Sequence, residues 1–175
     1  APVRDQANWG MLALGWTIYF SFGMGVASLV PLVSILRVEL DLSYTQLGII
    51  LGAWQLVFMA AAAPGGWLID RFGPKRVLTV GALVVAFSVT LRSLADGFPM
   101  LLFTVAFFGL GGPITAVGLA KLVADWFTGA SRGLASGIYI TGAAAGIAFV
   151  LALTHPVILP LTGGWRQAHV LYGII

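Results

Sequence analysis

Long apolar runs separated by short charged or turn-forming links dominate this chain. From Gln6 to Leu36 there is no charged residue, more than the roughly 20 apolar residues that cross a bilayer. This predicts a first helix over about 8–32, with Thr17, Tyr19, Ser21, Gly23 and Gly25 along its middle and Pro31 bending or ending it. Polar side chains in such a span more often bond to a neighbouring helix or to their own backbone than line a cavity. Arg37, Glu39 and Asp41 then read as a polar loop, and Ser43-Tyr44-Thr45-Gln46 fits a capping box that opens a second helix over 43–69. Gly48 and Gly52 are spaced to admit a close neighbour, with Gln55 beyond them and Pro64 near the end.

A third helix is expected over 75–94. Only fifteen residues separate Arg76 from Arg92, so Arg92 is expected to snorkel to the membrane surface. Ala95-Asp96-Gly97 is a minimal turn, and Phe98-Pro99 starts a fourth helix over 98–127. That helix carries Gly111-Gly112-Pro113, where it should bend or loosen, and then Thr115. Lys121 and Asp125 stand four apart near its end, a spacing that suits an ion pair on one face. A fifth helix over 132–153 has a seam of Gly133, Ser136, Gly137, Gly142 and Gly146, with Tyr139 and Thr141 as its polar candidates. His155 to Thr162 reads as a loop. Gly163-Gly164-Trp165-Arg166 opens a sixth helix over 164–175, and the nine residues after Arg166 reach about 14 Å, roughly half the hydrocarbon thickness. The expectation is an all-α membrane protein: residues 1–175 as one bundle of six transmembrane helices, the sixth truncated.

Composition narrows the function classes. With 59% hydrophobic and 9% charged residues, the chain is far more apolar than a soluble domain, which is about a quarter charged. No cysteine is present, which removes disulfides, thiolate metal sites and a cysteine nucleophile. No metal site or cofactor is expected. The net charge of +3 makes no basic face, so nucleic acid is not an expected partner. Ala1 to Asn8 lacks the pattern of a signal peptide and reads as a short tail.

The densest charge lies in Gly65-Gly66-Trp67-Leu68-Ile69-Asp70-Arg71-Phe72-Gly73-Pro74-Lys75-Arg76, four ionic residues in twelve. Lys and Arg are held on the cytoplasmic side of membrane spans, so this link is expected to be a tight cytoplasmic turn. Gly73 allows a backbone angle that other residues resist, and Pro74 can open the next helix. With Arg4, Arg71, Lys75, Arg76, Lys121 and Arg132 inside and Arg37, Arg92 and Arg166 outside, the N-terminus is cytoplasmic. The expected location is the plasma (inner) membrane, crossed several times.

Gly66, Asp70, Arg71, Gly73, Lys75 and Arg76 resemble the G-x-x-x-D-R-x-G-x-[RK]-R loop between the second and third helices of the major facilitator superfamily (MFS) of secondary transporters. Pro74 departs from it, standing where many members carry a further basic residue. The Gly-Trp-Arg start of the sixth helix is also similar to this family. The resemblance implies half of an MFS fold with a 3+3 inverted repeat, which Gly23-Met24-Gly25 and Gly109-Leu110-Gly111 echo at corresponding places. It further implies a second, C-terminal six-helix half, from the same gene or a second copy, with a small-molecule site between the halves that alternates its access. On this resemblance the loop, with Asp70, acts as a conformational latch, and Asp125 faces Lys75 and Arg76 across it.

The leading function is transport of a small solute by alternating access, without enzymatic activity. Tyr19, Gln55, Thr115, Lys121 and Tyr139 are the candidates for the substrate pathway. A small organic anion, with Lys121 or Arg92 near the pathway, competes with a neutral solute or a drug. Val105 stands where many proton-coupled members carry an intramembrane arginine, and no acid sits mid-span, so no proton carrier is evident. One rival is a structural or partner-binding membrane protein that dimerises through glycine seams. A weaker rival is an intramembrane enzyme pairing Ser136 with His155 or His169; Leu134 replaces the glycine its motif requires.

Overall fold

The computed structural model describes residues 9–175; the tail, with Arg4, Asp5 and the first helical position at Asn8, lies outside the described residues. The elements are α1 (Trp9–Ala27), α2 (Val33–Glu39), α3 (Tyr44–Phe72), α4 (Pro74–Leu91), α5 (Phe98–Trp126), α6 (Gly129–Leu153), α7 (Leu159–Thr162) and α8 (Trp165–Ile174). Five segments among the described residues are long and apolar enough to cross a membrane: Trp9–Glu39, Tyr44–Phe72, Pro74–Leu94, Phe98–Trp126 and Gly129–Thr162. At 29 residues each, α3 and α5 reach about 43 Å, beyond the roughly 30 Å hydrocarbon core. They are thus long enough to span it with some tilt.

Local chemistry sets the boundaries. Ser43 Oγ accepts from the Gln46 backbone N–H at 3.2 Å while Gln46 Oε1 accepts from the Ser43 N–H at 2.9 Å, so the capping box opens α3. Gly73, at φ 82°, turns the chain, and Pro74 begins α4 at once, where its missing N–H costs no hydrogen bond.

Several expectations change. The first helix ends at Ala27, just before Pro31, but a 3-10 turn over Val30–Leu32 leads on into α2, so Arg37 and Glu39 are helical, not in a loop. Proline in the first turn of that segment starts a new helical run, and Leu36 anchors the run in the core. His155 to Thr162 is also not a loop. The helix widens into a π segment at Thr154–Ile158 and continues as α7, a register that accommodates Pro156. The fifth span begins at Gly129, not Arg132. α5 runs as one helical segment with Pro113 inside it; its glycines serve packing, since a Cβ on Gly111 would stand 2.9 Å from Gly81 O and one on Gly112 2.5 Å from the Phe58 ring.

The helices pair across the two triplets. The most extensive contacts are α3 with α5 and α1 with α6, followed by α4 with α5. In the expected repeat, the lead helix of each triplet packs on the middle helix of the other. Gly23 and Gly109 mark the same contact in both: a Cβ on Gly23 would run into Ala143 O of α6, and one on Gly109 would stand 2.6 Å from Trp54 O of α3. Gly142 and Gly146 likewise face Trp16 O and Phe20 O of α1, whereas Gly48, Gly52, Gly133 and Gly137 have no atom within 4 Å of a Cβ built there.

Candidate functional site

The end of the bundle that carries Asp70 is built by the last turn of α3, the Gly73 link, the first turn of α4 and the last turns of α5. Asp70 ends one turn before Gly73, which points its carboxylate toward α5. There it pairs with the Lys121 ammonium. Lys121 is therefore not bonded to Asp125, the partner that helical spacing offered. Asp125 lines a groove of about 400 Å³ with Phe72, Lys75, Arg76 and Trp126, yet it forms no ion pair among the described residues. Lys75 instead lies over the Trp126 ring, 4.9 Å from its centroid. Arg71 lies over Trp67 and Phe72 at 5.2 and 5.6 Å. Gly66 has open space around it, while a Cβ on Gly65 would meet Pro113 of α5 at 3.6 Å, an ordinary contact. The loop thus joins α3, α4 and α5 by one ion pair and a set of cation–ring contacts. Both members of the ion pair are partly exposed, so it is worth about 1 kcal/mol or less to stability.

The pathway candidates separate. Tyr19 and Tyr139 meet edge to face at 5.6 Å, and Tyr19 also stacks on Phe22 at 5.7 Å. Phe22 continues to Phe108 and Trp54, giving the middle of the bundle an aromatic layer with two phenolic hydroxyls. Gln55 is exposed on α3. Thr115 is buried and donates to Gly111 O of its own helix at 2.9 Å. It borders a 260 Å³ cavity together with Thr17, Ser21, Thr79 and Tyr172.

At the opposite end, a second polar cluster escaped the reading of the sequence. Trp165 Nε1 donates to Glu39 Oε2 at 2.6 Å, Arg166 pairs with Glu39 Oε1, and Arg166 Nη2 donates to Ala95 O at 3.0 Å. Glu39 thereby ties α2 to α8, and Arg166 ties α8 in turn to the α4–α5 turn. The Gly-Trp-Arg motif was the available signal; the continuation of the first span to Glu39 supplied the partner. Arg92 does not snorkel: at 2% exposure it is drawn inward, because Gly25 O accepts from its Nη1 at 2.8 Å and Ser28 Oγ lies beside it.

A half-bundle of long apolar helices, paired lead-to-middle across two triplets and closed at one end by an Asp-Arg-Gly loop, defines the class of polytopic transporter folds. The sequence profile of the Major Facilitator Superfamily matches residues 15–175, and the chain belongs to that family. It is similar to the probable sulfoacetate transporter of Cupriavidus necator, 29% identical over 95% of this chain and 37% of that protein. It is also similar to the probable galactarate/D-glucarate transporter of Escherichia coli, 32% identical over 75% of this chain and 30% of that protein. The hexuronate transporter of Bacillus subtilis is 31% identical over 78% of this chain and 32% of its own length. The chain spans about a third of the length of these relatives.

Proposed function

We propose that the chain forms one half of a secondary transporter that carries a small organic anion across the membrane by alternating access. The observation that carries this reading is the Asp70–Lys121 pair beside the Gly73 turn, in a chain whose relatives are named as transporters of sulfoacetate, galactarate, glucarate and hexuronate. The Asp70 loop acts as a latch on the rocking motion, with Arg71, Lys75, Arg76 and Asp125 as its neighbours. The excess of Lys and Arg at this end supports a cytoplasmic position for it and for the N-terminus, in the plasma (inner) membrane. A second six-helix half, from the same gene or another copy, covers the unfilled faces around Gly48, Gly52, Gly133 and Gly137. The substrate lies between the halves, against the Tyr19–Tyr139 pair and Gln55.

Two observations weigh against the rivals. Ser136 lies in the opening turns of α6, whereas His155 bonds Pro31 O and His169 bonds Trp165 O at the other end of the bundle, so no serine–histidine dyad forms. Gly142 and Gly146 are consumed by α1 and are not free for dimerisation. The test is uptake by the full-length protein in vesicles with sulfoacetate, galactarate and a hexuronate. Asp70→Asn and Gly73→Leu should cut uptake while leaving membrane insertion intact. Normal uptake by these variants removes the latch, and uptake confined to uncharged solutes removes the substrate class.

A further inference from the structure

Among the described residues, Arg92 is the one Arg or Lys that is buried, and it has no charged partner. Lys121 and Arg166 are paired with Asp70 and Glu39, and Arg37, Arg71, Lys75, Arg76 and Arg132 are exposed near the helix ends. Arg92 is buried, and its partners Gly25 O and Ser28 Oγ carry no charge. The carboxylates of the described residues, Glu39, Asp41, Asp70, Asp96 and Asp125, are all exposed, and none pairs with Arg92. Dipoles solvate this guanidinium, but nothing among the described residues neutralises it. An ionisable group held inside a membrane bundle without a counter-charge is costly and points to function.

Its surroundings give the charge a direction. Cζ lies 5.1 Å from the centroid of the Phe108 ring. Phe108 stacks on Phe22 at 5.3 Å, and Phe22 stacks on Tyr19. Aromatic carbon, unlike water, does little to screen a field. His169 lies on α8, which packs against α4 and the turn that carries Arg92; it is fully buried, and its Nδ1 donates to Trp165 O at 2.9 Å. Because a carbonyl only accepts, Nδ1 carries the proton and Nε2 is left as an acceptor. Arg92 Nε, a donor, and His169 Nε2 are the two buried side-chain atoms without a hydrogen bond among the described residues.

We propose that Arg92 selects for anions: an unneutralised charge behind Phe108 whose field attracts a carboxylate or sulfonate beside the Tyr19–Tyr139 pair, with His169 as a positioning residue that steadies the guanidinium. This assignment rests on the reading of the chain as half of an organic-anion transporter. Direct contact with substrate is not required. At roughly 10 Å and an effective dielectric of ~20, two unit charges attract strongly enough to change affinity on the order of ten-fold.

The experiment compares two ligands on the purified full-length transporter: galactarate and its uncharged diamide, with sulfoacetate and a hexuronate as further anions. Arg92→Met should weaken anion binding about ten-fold and leave the diamide unchanged. Arg92→Lys, which keeps the charge, should retain most of the preference. His169→Gln, which still offers an acceptor, should behave as wild type, and His169→Leu should lose part of the anion preference. Arg92→Met takes the donor away from Gly25 O and Ser28 Oγ, so its folding is checked first; if it does not fold, Arg92→Gln against Arg92→Lys reads the same ratio. An unchanged anion-to-diamide ratio in the uncharged variant overturns the assignment alone. Equal losses for both ligands overturn it in favour of a structural role. A wild type that binds none of the anions overturns the substrate reading and the assignment with it.

Discussion

Substitution of Gly146 by alanine tests the packing on which the bundle depends. A Cβ there would collide with Phe20 O of α1 and stand 2.9 Å from the Met24 nitrogen. Contacts between carbon and its neighbours settle near 3.5 Å, so α1 and α6 must part by roughly 1 Å, and a gap of that size forfeits about a quarter to a half of the local dispersion energy. The same movement loosens the Phe20–Phe149 and Tyr19–Tyr139 contacts at 5.6 Å each and the Trp16 Nε1 to Thr141 Oγ1 bond at 3.0 Å. Overpacking of this kind costs about 1–3 kcal/mol, which for a chain of this size lowers the unfolding temperature by roughly 3–10 °C. Gly137→Ala in the same helix meets no atom within 4 Å, and removing a helical glycine gains up to about 1 kcal/mol. Thermal unfolding of the purified protein in detergent should therefore separate the two alanines in sign. Equal behaviour, or an unaffected Gly146→Ala, would refute the account of which glycines hold the helices together.

Three further outcomes follow from other contacts. Ser43→Ala removes the cap of α3 and should cost about 1 kcal/mol, seen as a drop of roughly 2–4 °C in the same assay; no drop would mean the cap is redundant. Exchanging the charges as Asp70→Lys with Lys121→Asp should restore part of the uptake that either single change removes, while stability moves by about 1 kcal/mol or less throughout; failure of the exchange to recover any uptake would show that the pair is not what the loop requires. Glu39→Ala and Arg166→Ala should show a coupling of about 0.5–3 kcal/mol in a double-mutant cycle of unfolding, because both act through one carboxylate; strict additivity would dissolve the cluster.

The spans were legible because each is a long apolar run ended by local chemistry: the Ser43–Gln46 box and the Gly73-Pro74 turn act within a few residues of themselves. Pro31, Pro113 and Pro156 each take a course that the sequence leaves open. In each case the chain stays helical around the missing donor, by opening a new helical segment, by continuing through it, or by widening the turn, and which of these occurs depends on neighbours distant in sequence. The same distance hid the charge pairs. Helical spacing offered Asp125 to Lys121, but Asp70 lies 51 positions away and takes it. Arg92 looked like a surface residue because its acceptors, Gly25 O and Ser28, come from another helix.

The exchange of partners between the two triplets bears on how the protein is made. Trp16 must wait for Thr141, 125 positions later, before the first helix can dock on its principal neighbour. Neither set of three can mature alone, so a ribosome feeding this chain into the bilayer exposes α1 to lipid, or to a holding factor, until the fifth span has left the translocon. A nascent chain stopped after α5 should be inserted and yet remain easily digested, its opening helix still without its mate.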